Sequence, residues 1–149
     1  MIRRFAAAAL FLLLASCKPG TYRAHADFLG GRLAFVHPEG RALNGCWQEL
    51  KVVGERGVAW RFTHPGVGEC ANVFPLFYGR VPEGAAETVP AARLEPGRLY
   101  VLDGDLTLTL EGAFVLDRAQ GRLSVRNVDP RSPEAQRLRR LHAGPAGGS

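Results

Sequence analysis

The chain has 149 residues and a formal net charge of +5, with 18 glycines, 10 prolines, 3 cysteines and 46% hydrophobic residues. That length suits one domain burying roughly two thirds of its unfolded surface, and the apolar fraction excludes a disordered chain. The charge excess lies at the ends, in Arg3 and Arg4 and in Arg131, Arg137, Arg139 and Arg140 against Glu134, while acidic and basic side chains cancel between Lys18 and Asp129. No basic stripe interleaved with aromatics runs through the body, which excludes a nucleic-acid partner.

Residues 1–16 read as an export signal. Met1 to Arg4 carries two cations, and Phe5 to Leu14 is an uncharged run of ten residues, about half of what a bilayer-spanning helix requires. Leu14, Ala15, Ser16 and Cys17 follow: a branched apolar residue and two small ones before a cysteine. This quartet resembles the lipobox of bacterial lipoprotein signal peptides, with Ser16 as a tolerated variant, and the resemblance covers the leader alone. It implies diacylglycerol on the Cys17 sulfur, cleavage between Ser16 and Cys17, and acylation of the new amino terminus. Each buried methylene contributes roughly 0.8 kcal/mol, so two or three acyl chains would hold the protein at the membrane permanently. Lys18 stands where an aspartate would resemble the inner-membrane retention signal of many enteric bacteria. The expected location is therefore the outer membrane, facing the periplasm. Residues 17–28 are then the acylated cysteine and a tether.

From 29 to 129 the apolar period is two, the mark of half-buried strands. Leu33 and Phe35 share one face; Cys46, Leu50 and Val52 share another with Gln48; Val58, Trp60 and Phe62 share a third; and Cys70, Phe74, Leu76 and Tyr78 share a fourth with Asn72. Trp47 and Phe77 have the opposite parity and form a candidate partner patch on an outer face. Turns are expected at Pro38-Glu39-Gly40 and at Pro65-Gly66, and Pro75 marks an edge or bulged strand because it cannot donate to a ladder. Residues 81–97, with three prolines, read as a long surface excursion. The run from Arg98 to Asn127 reads as a meander of four strands, with tight turns at Asp103-Gly104 and around Arg118 to Gly121. The expected fold is all-β, a small antiparallel β-sandwich or partly closed barrel of about seven or eight strands, with a short C-terminal helix.

Cys46 and Cys70 remain once Cys17 is assigned to acylation. In an oxidising compartment the economical expectation is a disulfide, whose loop of about 25 residues restricts the unfolded chain by roughly 3.5 kcal/mol. Residues 130–149 form a basic tail. Ser132 suits an N-cap, Pro133 the first helical position and Glu134 the positive helix end, and Gly144-Pro145 stops the segment. Ala135, Leu138 and Leu141 would face the sheet, leaving Arg137, Arg139 and Arg140 outward as candidate anion contacts for headgroups or a polyanion. The strand pattern is complete by Val128, so the tail is expected to be separable.

Catalytic groups are scarce. Ser124 is the one serine between Lys18 and Asp129, and no glycine-rich elbow surrounds it, so the chain reads as non-enzymatic. A metal site would need His25, His37, His64 or His142 to converge with a carboxylate such as Asp27 or Glu69. His37 and His64 directly precede prolines, which fits turns better. Asp103 and Asp105 are explained by turn chemistry. No metal or cofactor is expected. The architecture is similar to that of small disulfide-bonded β lipoproteins, periplasmic lysozyme inhibitors among them, without their inhibitory-loop motif. The reading is a membrane-anchored protein with a binding or envelope-maintenance role, its partners the membrane and an envelope protein or polyanion. The alternative is a small-molecule or metal-binding periplasmic module, which a cluster of histidine and carboxylate would favour.

Overall fold

The computed structural model describes residues 20–40, 47–64, 74–106 and 109–143, with the backbone alone at Trp47 and Leu106. The described elements are β1 (Thr21–Arg23), β2 (His25–Leu29), β3 (Arg32–Val36), β4 (Trp47–Gly54), β5 (Gly57–Thr63), β6 (Leu76–Phe77), β7 (Ala86–Val89), β8 (Leu99–Leu106), β9 (Thr109–Ala119), β10 (Arg122–Asn127) and α1 (Pro133–Leu141). They form an open seven-stranded sheet, in the order β1-β9-β8-β4-β5-β7 with β10 also on β9, and a three-stranded sheet β2-β3-β6. One edge of β9 pairs with β8. Its other edge is shared end to end by β1, which runs parallel, and β10, which runs antiparallel.

Alternation drives the packing, since successive side chains on a strand point to opposite faces. Ala26, Phe35 and Leu76 of the small sheet meet Leu50, Val52, Trp60, Phe62, Leu102 and Phe114 of the large one in a single core. This is the all-β sandwich that the period-two pattern predicts, with an unclosed large sheet. The segment 21–28, expected as tether, is built into both layers as β1 and most of β2.

The chain crosses from one sheet to the other at Ala24, whose N–H donates to the Glu111 carbonyl at 2.9 Å. The crossing is close because Gly112 lies beneath it: a β-carbon there would sit 2.7 Å from the Ala24 carbonyl oxygen and 3.3 Å from Leu102 Cβ. Gly112→Ala is therefore expected to destabilise the fold by about 1–3 kcal/mol, the usual cost of overpacking against backbone. A thermal melt followed by circular dichroism checks this, and an unchanged midpoint would count against the close crossing. Beyond the crossing, the Asn127 side chain takes the place of a neighbouring strand. It accepts from the Ala26 N–H at 2.8 Å and donates to the Ala26 carbonyl at 2.9 Å.

Three expectations are corrected by strand pairing. Asp103-Gly104 is not a turn; β8 runs through it, with Asp103 opposite both Lys51 and Glu111 and Gly104 opposite both Leu50 and Leu110. Ladders on both edges outweigh the local turn preference of Asp-Gly, so the meander has three long strands, not four. The later turn falls at Gln120-Gly121, both at positive φ (50° and 78°), as a two-residue hairpin turn demands. Val58 does not share a face with Trp60 and Phe62. The β4–β5 register shifts so that Val53 opposes Val58 while Val52 opposes Trp60, and the extra residue, Ala59, turns Val58 to the other side of the sheet. The 81–97 excursion contains β7, an edge strand on β5. It is held by the Trp60 Nε1–H, donating to Glu87 Oε1 at 3.0 Å, and by the Tyr78 hydroxyl, 3.0 Å from the Ala59 carbonyl and 2.7 Å from that of Ala92. Burial, reinforced by the neighbouring Tyr100, pushes the Tyr78 hydroxyl well above the usual phenol range, so it remains a neutral donor.

The helix forms as its caps predict. Ser132 Oγ accepts from the Ala135 N–H at 3.3 Å, and Pro133 occupies the first turn. Ala135 and Leu138, 0% and 4% exposed, pack on Val53, Val101 and Ala113 on the outer face of the large sheet. Leu141, which the apolar spacing predicts beside them, is 63% exposed. At 100° per residue, each step of three falls about 60° short of a full turn, so two steps carry Leu141 about 120° away from Ala135.

Candidate functional site

The outer face of the large sheet is divided into rows by strand register. The row under α1 is apolar: Val58, Val53, Val101 and Ala113 lie side by side across β5, β4, β8 and β9. The next row is charged throughout, running Arg61, Lys51, Asp103, Glu111 and Arg23 from β5 to β1. A third row continues with Thr63, Glu49 and Asp105. Two cations thus stand next to each other, followed by two carboxylates. Like charges directly opposite on neighbouring strands repel, so each must be offset from elsewhere.

The compensation is specific. Arg61 pairs with Glu49 at 2.7 Å. Glu111, only 8% exposed, takes Arg131 at 3.3 Å and Arg23 at 3.7 Å. Asp103 takes Arg139 of α1 at 2.7 Å, and the same guanidinium donates through Nη1 to the Pro130 carbonyl at 3.2 Å. Lys51 has no carboxylate within 4.0 Å among the described residues, although Glu49, Asp103 and Asp105 surround it. These four residues, with Gly104, Thr109 and Arg139, line an open cleft of about 330 Å³. Arg139 Nη2, and Arg61 Nε on the neighbouring strand outside the cleft lining, are closed to solvent and bond to no protein group among the described residues. Because both nitrogens are closed to solvent, the cation the cleft offers a polar ligand is the Lys51 ammonium.

The residues singled out from sequence scatter. Cys17, Cys46 and Cys70 lie outside the described residues. Phe77 is on the outer face of the small sheet opposite Ala34, with the Arg32 guanidinium 4.9 Å from its ring centre. Trp47 is in β4 of the large sheet, opposite Leu106, and its side chain lies outside the described residues. The two positions of the expected patch therefore belong to different sheets. Of the three helix arginines expected to face outward, Arg137 and Arg140 are exposed, the latter donating to Gln136 Oε1 at 3.4 Å. Arg139 turns to the sheet, because it is one turn on from Ala135 and shares its face. His25 lies on β2, His37 begins the turn after β3, His64 follows β5 and His142 ends α1. Among the described residues no group of three His, Cys, Asp or Glu side chains could hold a metal ion.

In the sequence Glu49 and Lys51 belong to no motif, and Asp103 and Asp105 have the chemistry of turn residues. The signal for them was the parity of the charged positions on β4 and β8, opposite to that of Leu50, Val52 and Leu102. Comparison with protein-family models, with curated proteins and with solved structures finds no match.

Proposed function

We propose that this chain is a lipid-anchored protein of the bacterial envelope, held through Cys17, most simply at the outer membrane and facing the periplasm, with a non-enzymatic binding role. The observation that carries the anchor is the quartet Leu14-Ala15-Ser16-Cys17 at the end of an uncharged run preceded by Arg3 and Arg4. The paired reading of Cys46 and Cys70 as a disulfide belongs to the same proposal, since it depends on an oxidising compartment. What supports binding is the charged cleft, a preorganised polar surface on paired strands that the core does not require.

Expression of the full chain in a bacterial host fed a clickable palmitate analogue tests the anchor. The wild type is expected to carry the label, while Cys17→Ala remains unlabelled and uncleaved. Equal label on both would overturn the assignment.

A further inference from the structure

We propose that the pocket between the β4–β5 turn and residues 92–98 binds a small carboxylate whose apolar body is about one ring in size. This site lies apart from the Lys51 cleft, and the inference rests on neither that cleft nor the anchor.

The first consideration is open cationic charge. Glu55 and Arg56 of the two-residue turn line the pocket together with Arg93, Glu95 and Arg98 of the segment leading into β8. Arg56 pairs with Glu95 at 2.6 Å, and Arg98 pairs with Glu55 at 2.6 Å and with Glu95 at 3.8 Å. Both carboxylates are thus engaged. Arg93 is exposed and has no carboxylate within 4.0 Å among the described residues. Three cations against two carboxylates leave a surplus of one, so a single negative charge at Arg93 completes the balance and meets no unpaired carboxylate. The Arg56 and Arg98 side chains are 77% and 49% exposed, and a guanidinium has five donors, so further N–H groups stand open at the same rim.

The second consideration is size and apolarity. Ala59, Leu94 and Tyr100, all packed on the main core, supply the apolar wall. The volume, about 220 Å³, exceeds the roughly 150 Å³ that holds benzene in an apolar cavity. One ring fits, with its carboxylate at the arginine rim. The third is rigidity. The Ala92 N–H donates to the Ala59 carbonyl at 2.8 Å, the Glu95 N–H to the Tyr100 hydroxyl at 2.8 Å and the Gly97 N–H to the Leu116 carbonyl at 2.7 Å. The segment is pinned along its length before a ligand arrives, which lowers the ordering cost of binding.

The test is a titration of the isotope-labelled full chain in detergent, read by the backbone N–H signals of Gly57, Arg93 and Leu94. Phenylacetate, its neutral isostere phenylacetamide, and acetate are compared at matched ionic strength. Phenylacetate is expected to move these signals saturably and to leave those of Lys51 and Asp103 in place, with phenylacetamide and acetate each about fivefold weaker or more. Arg93→Met, which keeps the aliphatic stem, should weaken phenylacetate about fivefold, whereas Arg93→Lys should stay within about twofold. Arg140→Gln, on α1 away from the pocket, should change nothing. Equal binding of phenylacetate and phenylacetamide, equal binding by wild type and Arg93→Met, no saturable shift, or shifts confined to Lys51 and Asp103 would each overturn the proposal. A failed lipid label at Cys17 would leave these shifts untouched, so the two readings fail separately.

Discussion

Phe114→Ala is expected to lower stability by about 3–5 kcal/mol, the range for emptying a buried aromatic site. Phe114 is 1% exposed and stands where the two layers meet: its ring centre is 5.7 Å from that of Phe35 in the small sheet and 5.7 Å from that of Tyr100 on the adjacent strand. Removing it takes the partner from both rings at once, and β9, paired with β8 on one edge and β10 on the other, cannot close the gap. A domain of this size has only about 5–15 kcal/mol in total. Urea unfolding should show the midpoint falling steeply with little change in slope. Phe77→Ala, on the outer face under Arg32, serves as the control at about 1 kcal/mol or less. Similar losses at both positions would contradict a core centred on Phe114.

Ending the chain after Arg131 is expected to cost about 3–5 kcal/mol, with the strands still formed. The loss has two parts. Leu138 and Ala135 cover Val53, Val101 and Ala113, and deleting a buried leucine alone costs about 2–5 kcal/mol. Arg139 neutralises Asp103, with side chains 25% and 19% exposed, and without it Asp103 lies beside Glu111 on the next strand. Arg139→Met separates the parts, keeping the packing while removing the charge, and should account for roughly 1–2 kcal/mol after allowance for solvent screening. A melting temperature unchanged by truncation would show that α1 is the separable tail its sequence suggests.

Features set by neighbours in the chain could be read from it. The pairs Leu33 with Phe35 and Trp60 with Phe62, the Ser132 cap and the turn before Arg122 depend on local alternation or local backbone preference. Features set by neighbours in space could not. Val58 follows the period of β5 until the β4 register inserts Ala59 as a bulge. Asp103-Gly104 has the composition of a turn, but two flanking ladders hold it straight. Thr21 to Arg23 is too short to show a period, and its partner begins at Thr109, far along the chain. The cleft is the extreme case: Glu49, Lys51 and Asp103 are ordinary strand charges until register aligns them and Arg139 arrives from a helix whose docking face the sequence shows only in part.

The placement of β1 has a consequence for where the protein works. β1 begins at Thr21, and four residues at full extension span at most about 14 Å. Under the proposed acylation of Cys17, the large sheet is leashed to the leaflet by at most about two to three times the depth of the headgroup layer, which is about 5–8 Å on each side of the hydrocarbon. The same tether would hold one end of the sheet nearest the bilayer. Thr21 lies beside Thr109, and that end of the sheet carries Asp105 and Glu49, so under that tether the cleft would lie at the membrane-proximal end of the sheet's outer face and the β9–β10 hairpin at the far end.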